Sequence, residues 1–493
     1  MISPHLPILQ VVIPLLAALL AALVRNGKAA WVVALAVSWI MPLIAWLLLS
    51  QVLATGPISY HLGGWPPPIG IEYRVDLISG FMLMLVSVIG AVLLPYARLS
   101  VASEIDADKQ AWFYSMYLLC MTGLFGIAIT GDAFNVFVFL EVSSLSTYAM
   151  VAMGRDRRAL VAAYQYLIMG TIGATFYVVA VGLLYVMTGT LNLVDMAARL
   201  GDVSSVRPIL AALAFFTVGV SLKFALFPLH VWLPNAYAYA PSFATAFLAA
   251  TATKVAGYLL LRYLFDVFGT SLVFGTQPVS VVLLILSAAA MMAASIVAVF
   301  QDNVKRLLAY SSVAQIGYIT LGIGLANQAG LTGGIVHLFN HAITKACLFL
   351  VLGGVVYRLG EARLGQFCGL GKQMPLSMGA LVVASASLIG VPGTAGFISK
   401  WYLALAALEK GWWWLVILIV VSSVIAVLYL GRVIEAAYFR EPSPAAAKVE
   451  EMPLSMLIPT WVLALATIYF GFDTSLTAGI AGQAAKALLM GAP

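Results

Sequence analysis

Apolar runs of about twenty residues, the length a bilayer core demands, recur along the whole of this 493-residue chain. Nothing else in the sequence restricts the fold as strongly. In hydrocarbon every backbone polar group must be satisfied within the chain, so runs of this length are helices. Composition agrees, with 63% hydrophobic and 9% charged residues. That leaves too little polar material to coat a water-soluble body of this size. The chain reads as an all-α polytopic protein in a lipid bilayer.

Fourteen spans are expected, at 6–24, 30–54, 76–96, 111–129, 133–152, 160–188, 209–233, 242–264, 278–299, 307–325, 330–357, 377–401, 411–438 and 453–472. No long hydrophilic stretch divides them, so residues 1–493 form a single transmembrane domain. The longest polar connections, 55–75 with GGWPPPIG and 440–452 with EPSPAAAKVEEMP, are turn- and loop-like. The first apolar run lacks a basic leader and is too long for a signal-peptide core, so it reads as a first span. Basic residues favour the odd-numbered loops by fifteen to six. That bias puts the odd loops in the cytoplasm and both termini outside a bacterial or archaeal plasma membrane.

Several function classes fall away. Cys120, Cys347 and Cys368 are far apart and form no CxxC pair, which argues against a disulfide framework, an iron–sulfur cluster or a zinc site. No flavin or nicotinamide motif is present, and no cofactor is expected. The formal charge of +6 is scattered through short loops and does not suggest nucleic acid.

What remains is inside the membrane. Of 25 basic residues, Lys223, Lys254, Lys345 and Lys400 fall within spans, and of 19 acidic residues only Glu141 lies well inside one. Glu141 is roughly 13 Å along its helix, and Lys223 and Lys254 are also near the middle of a core about 30 Å thick. A charge at that depth costs at least ~2.5–3.5 kcal/mol, so these groups face one another or a hydrated interior. Buried ion pairs that fix helix packing are the plain reading. Four lysines and one glutamate do not balance, however. Lysines poised between charged and neutral are proton carriers, and a proton relay is the reading favoured here.

IVHLFNHAITKACLFL puts His337, His341 and Lys345 at i, i+4 and i+8 on one helix face. Imidazoles donate and accept, which suits a proton path. The alternatives are satisfied packing histidines and a metal pair. A metal lacks a third ligand, and Lys345 opposes a cation there. His230 is an even choice between packing and relay.

Pro228 removes a backbone donor five residues after Lys223 and should break the seventh span. In SLIGVPGTAGFISKW, Gly390, Pro392, Gly393 and Gly396 interrupt the twelfth just before Lys400. Interrupted spans at corresponding places in two halves point to inverted repeats and a midplane ion path. An offset of five helices gives the halves opposite orientation.

Six stretches together carry a family likeness: GDAFNVFVFLEVSSLSTYA (131–149), SLKFALFPLHVWLPNAYAYAPS (221–242), ATKVAGYLLLR (252–262), DNVKRLLAYSSVAQIGY (302–318), HLFNHAITKACLFL (337–350) and GVPGTAGFISKW (390–401). Over about residues 70–440 the chain resembles the antiporter-like membrane subunits, which include Mrp-type multisubunit sodium/proton antiporters and the proton-pumping subunits of respiratory complex I. Gly131–Ala149 most resembles the D-type Mrp subunit. The resemblance implies fourteen helices with two inverted five-helix repeats, at 111–264 and 278–438, and broken seventh and twelfth helices. It matches Glu141 to the fifth-helix glutamate that pairs with Lys223, and Lys254 to the connecting lysine of the eighth helix. His337, His341 and Lys345 match the eleventh-helix relay, and Lys400 the ionisable residue of the twelfth, where some members carry glutamate. Asp302, Lys305 and Arg306 match a positional loop motif.

The chain ends about twenty residues after the fourteenth span, too few for the long lateral helix of the largest family subunits. This favours the D-type Mrp subunit or the shorter complex I type. The function implied is proton translocation within a multisubunit sodium/proton antiporter. The alternative is a proton-pumping subunit of a complex I-like oxidoreductase or a membrane hydrogenase. The partners implied are other membrane subunits, protons and sodium.

Overall fold

A computed structural model describes residues 3–442 and 446–491. The chain opens with α1 (Leu6–Val24), which carries Pro7 in its first turn, where its missing N–H costs nothing. The Asn26 side chain then caps α2 (Gly27–Thr55) by accepting from the amides of Lys28 and Ala29. The connection at 55–75, expected as a loop, folds instead as an antiparallel hairpin of β1 (Ile58–His61) and β2 (Glu72–Val75). It ends in a capping box in which Asp76 and Ser79 start α3 (Leu77–Glu104). Next come α4 (Gln110–Ile129), α5 (Ala133–Ala152), which Asp132 caps, and α6 (Arg158–Thr188). A short helix absent from the sequence reading, α7 (Leu193–Leu200), lies between α6 and the seventh span, with Asn192 as its cap.

The seventh span is broken earlier than its proline. Its first half, α8 (Val206–Phe224), stops one residue beyond Lys223, where Ala225 turns left-handed at φ 57°. The second half, α9, is Trp232–Tyr239. The break expected in the span at 209–233 is present: Pro228 lies within the gap, and the last helical residue before it is Phe224. The eighth span is also broken, between α10 (Ser242–Ala250) and α11 (Ala252–Arg262), with Thr251 at φ −122°, ψ −58°.

Beyond it lie α12 (Val279–Val299), α13 (Val304–Leu325) and α14 (Gln328–Leu359). The one-turn α15 (Leu370–Gln373) precedes the two halves of the twelfth span, α16 (Pro375–Ile389) and α17 (Ala395–Glu409). Between these halves Gly390 and Gly393 take φ of 90° and 86°, a region open to glycine but not to side-chain-bearing residues without strain. The chain closes with α18 (Trp413–Phe439), α19 (Leu454–Phe472) and α20 (Thr477–Met490). Among the described residues, thirteen helical segments are long and apolar enough to cross a bilayer, α10 and α11 counting together as one. The twelfth span, as two short halves, completes the expected fourteen.

At the centre stands α14, buried almost continuously from Gly330 to Val355. It packs against α10, α13, α16, α17, α19 and α20. The outer helices leave large apolar residues exposed, among them Leu23, Val186, Ile285 and Leu428, as a lipid-facing surface requires. The last helix, α20, has too many alanines and glycines to read as a span, but it covers one flank of α14.

Candidate functional site: a line of buried lysines and histidines

The break in the seventh span puts Lys223 in the last turn of α8, among carbonyls that have lost their helical partners. One of these, Leu222 O, is taken by the Trp232 indole N–H at 2.9 Å, so the second half-helix is pinned to the end of the first. Lys223 Nζ donates to Ser144 Oγ at 2.6 Å and lies 3.5 Å from Glu141 Oε1 and 3.5 Å from the Tyr148 hydroxyl. Glu141, Ser144 and Tyr148 follow one another at helical spacing on α5, so one face of that helix supplies the whole cradle. Behind it Tyr148 meets Tyr166 edge-on at 4.6 Å, and Tyr166 stacks on Trp232 at 3.9 Å.

Lys254 is fully buried in the first turn of α11. The break at Thr251 leaves Ala249 O open, and Lys254 Nζ donates to it and to Thr253 Oγ1 at 3.3 Å. Lys400 makes the same kind of contact in the twelfth span. From α17 it reaches back to the exposed end of α16, donating to Ile389 O at 2.7 Å and Leu388 O at 3.2 Å, and to Ser423 Oγ at 2.9 Å. Its ammonium also lies 4.8 Å from the centre of the Tyr318 ring. Each of these lysines thus sits at the carbonyl end of a broken helix, the end favourable to a cation.

On α14 the three residues share one face. The His337 and His341 rings lie nearly parallel, 6.0 Å apart. His337 is held at Nδ1 by Ser399 Oγ at 2.8 Å and at Nε2 by Gln315 Oε1 at 2.9 Å. Among the described residues neither His341 nitrogen has a hydrogen-bond partner, although the residue is only 2% exposed. Lys345 Nζ donates to Leu308 O at 2.8 Å and to Ser311 Oγ. Among the described residues, Lys223 is the only one of these four lysines with a carboxylate partner; neutral oxygens hold Lys254, Lys345 and Lys400.

His230 is not joined to this line by any hydrogen bond shown: its ring stacks on Phe227 at 5.2 Å, and Tyr310 meets it edge-on. Pro228, Pro392 and Gly393 lie in the gaps where the seventh and twelfth spans are interrupted. Of the loop motif, Asp302 pairs with Arg432 at 3.7 Å and buried Lys305 donates to Ala240 O at 3.3 Å, both structural contacts.

Residues that the sequence reading did not single out complete the surroundings. Ser144, Tyr148, Gln315, Ser399 and Ser423 each touch a lysine or histidine of the line. Their sequence signal is slight: Ser144 and Tyr148 repeat at three and seven residues from Glu141, and Ser399 adjoins Lys400. Farther along α11, Arg262 bridges Asp76 at 2.5 Å and Asp266 at 2.6 Å, and its Nε donates to the Tyr258 hydroxyl at 3.1 Å. That buried charge is fully paired, unlike the lysines.

No group of three or more His, Cys, Asp or Glu capable of holding a metal occurs among the described residues. A multi-pass membrane fold with interrupted helices and a line of buried basic groups defines a class of ion-handling integral membrane proteins. Within that class, residues 130–426 match the family described as NADH:quinone oxidoreductase/Mrp antiporter, transmembrane, and the chain belongs to it. It is 42% identical to the N subunit of the NADH-quinone oxidoreductase of Desulforudis audaxviator, over 95% of this chain and 96% of that one. It is 29% identical to the D subunit of the Na(+)/H(+) antiporter of Alkalihalophilus pseudofirmus, over 88% and 86% of the respective chains. A chain of the membrane-bound sulfane sulfur reductase, an archaeal respiratory membrane complex, superposes with a TM-score of 0.90 at 31% identity. The match covers 98% of this chain and 97% of that one. The D-type Mrp resemblance read from Gly131–Ala149 therefore stands beside a higher identity to an oxidoreductase N subunit.

Proposed function

We propose that this chain carries protons along Glu141, Lys223, Lys254, the His337–His341–Lys345 face and Lys400, as one membrane subunit of a larger assembly. The observation that carries this reading is the imbalance of charge. Among the described residues, three of the four lysines of this line are held by carbonyls and hydroxyls alone. Neutral acceptors suit an amine that alternates between charged and uncharged forms, because no carboxylate locks the charged one. The Glu141–Lys223 pair is the adjustable member. With Glu141 close, the ammonium is stabilised; with Glu141 withdrawn, Lys223 passes its proton toward Lys254. The interruptions of the seventh and twelfth spans fit a pair of inverted repeats over 111–264 and 278–438, and the excess of basic residues in odd-numbered loops fits termini outside a plasma membrane.

The host assembly we propose is a sodium/proton antiporter, on the D-type resemblance. A second reading, a subunit of a redox-driven complex, is favoured by the 42% identity to an N subunit of NADH-quinone oxidoreductase. Purifying the intact assembly and identifying its subunits separates the two: small antiporter subunits support the first, quinone- or hydrogenase-type subunits the second.

Transport itself is tested with Glu141→Gln and Lys223→Ala in the intact complex in proteoliposomes. Loss of a positioned proton-transfer group should lower proton flux by about a hundredfold. Wild-type flux in both variants, with normal assembly, would overturn the proposal.

A further inference from the structure

The two histidines of α14 are treated differently by their surroundings. His341 has no hydrogen-bond partner among the described residues, whereas His337 is bound at both nitrogens from two other helices. From α13, Gln315 Oε1 lies 2.9 Å from Nε2. An amide oxygen accepts and does not donate, so the neutral ring carries its hydrogen on Nε2. The Nδ1 lone pair is left facing Ser399 Oγ at 2.8 Å. Ser399 has a second acceptor within reach, Gly396 O at 3.1 Å. Its hydrogen can therefore turn from the ring to its own helix without any heavy atom moving.

We propose that Ser399 is the hydroxyl through which His337 exchanges protons with the Lys400 side of the path, and that Gln315 is the positioning residue that keeps this exchange on Nδ1. The inference rests on the relay reading above and deepens it. In one concerted step the Lys400 ammonium gives a proton to a bridging water, the water gives one to Ser399 Oγ, and the original hydroxyl proton passes to Nδ1. His337 becomes the imidazolium, Ser399 remains a neutral hydroxyl with its hydrogen on Gly396 O, and Lys400 is left as the free amine. The return step reverses each transfer. Throughout, Nε2–H stays on Gln315 Oε1, because an amide is too weak a base to take that proton. Sequence adjacency alone would not single out Ser399. The bridge does, because it ties α13, α14 and α17 through one imidazole at the place where the α14 line meets the broken twelfth span.

The test uses the intact complex in proteoliposomes, reading proton flux alongside assembly. Ser399→Ala should lower flux about tenfold or more, and Ser399→Thr, which keeps the hydroxyl, should restore most of it. A serine needed only for its small size would not show rescue by a bulkier hydroxyl, and one that only holds the ring in place would leave the tautomer and flux unchanged in Gln315→Leu. In parallel, solid-state ¹⁵N spectra of histidine-labelled complex should show His337 as the Nε2–H tautomer in the wild type and a mixture in Gln315→Leu. Wild-type flux in Ser399→Ala, with His337→Gln inactive, would overturn the inference and leave the relay standing. Full flux in His337→Gln would overturn the relay itself. Should Ser399→Ala fail to assemble, an unchanged tautomer and flux in Gln315→Leu would overturn the proposal.

Discussion

Lys223 shows how much a single ammonium depends on the neighbours it is given. Ser144 is its closest contact at 2.6 Å, nearer than the Glu141 carboxylate at 3.5 Å. A hydrogen bond to a charged group contributes about 1.5–3 kcal/mol, so the hydroxyl matters alongside the ion pair. Ser144→Ala should therefore reduce proton flux, but by less than Glu141→Gln, which removes the charge; equal flux in Ser144→Ala and wild type would discount the hydroxyl. Gly170 offers a sharper probe. A Cβ there would fall 1.7 Å from the Tyr148 hydroxyl, so Gly170→Ala must displace Tyr148 from Lys223. The expected result is impaired flux in an assembled complex, and Gly170→Ala combined with Tyr148→Phe should recover part of it by removing the colliding oxygen.

At the scale of the helix, the breaks are where sequence and structure part company most instructively. The seventh and twelfth interruptions are legible because proline and glycine punctuate them, and the eighth is not, because AATATKV contains neither. At Thr251 the break is made by tertiary packing: the backbone leaves helical geometry and Lys254 takes the freed Ala249 carbonyl. Even where a proline announces the gap, its position is offset, since the chain already turns left-handed at Ala225, ahead of Pro228. The lysines themselves are easy to see, because a charge in an apolar run is rare. Their partners are ordinary serines, tyrosines and a glutamine, which gain meaning only once helices distant in sequence meet. Two substitutions test the breaks. Trp232→Phe keeps the ring against Tyr166 but loses the N–H to Leu222 O, which is left with the Ala225 amide at 3.3 Å; the loss of one hydrogen bond, about 0.5–1.5 kcal/mol, should show as a slightly lower thermal midpoint of the complex. Gly390→Ala adds a Cβ 2.9 Å from Lys400 Cδ at a backbone φ of 90°, so it should strain the turn, displace Lys400 and depress flux.

Across the whole molecule, α14 is the axis, and the broken eighth and twelfth spans pack against it. The count of fourteen spans was legible from hydropathy alone. The hairpin at 58–75, α7 and α20 were not, because none is an apolar run of spanning length. Of these α20 bears most directly on the axis: it packs along α14, where a Cβ added at Gly482 would fall 3.9 Å from Thr332 Oγ1. Stopping the chain after Asp473 would uncover that flank, and the expected outcome is a complex that assembles poorly or melts at lower temperature.

The carbonyls that receive Lys254 and Lys400 carry a consequence of their own. Ala249, Leu388 and Ile389 present oxygens that an unbroken helix would use for its own hydrogen bonds. Helix continuity and lysine solvation therefore compete for the same atoms. By thermodynamic reciprocity, whatever charges the lysine props the gap open, and whatever mends the helix turns the lysine out. A proton and a turn of backbone become alternative ligands of one oxygen, which lets chemistry at a side chain and motion of a half-helix exchange work without any further linkage between them.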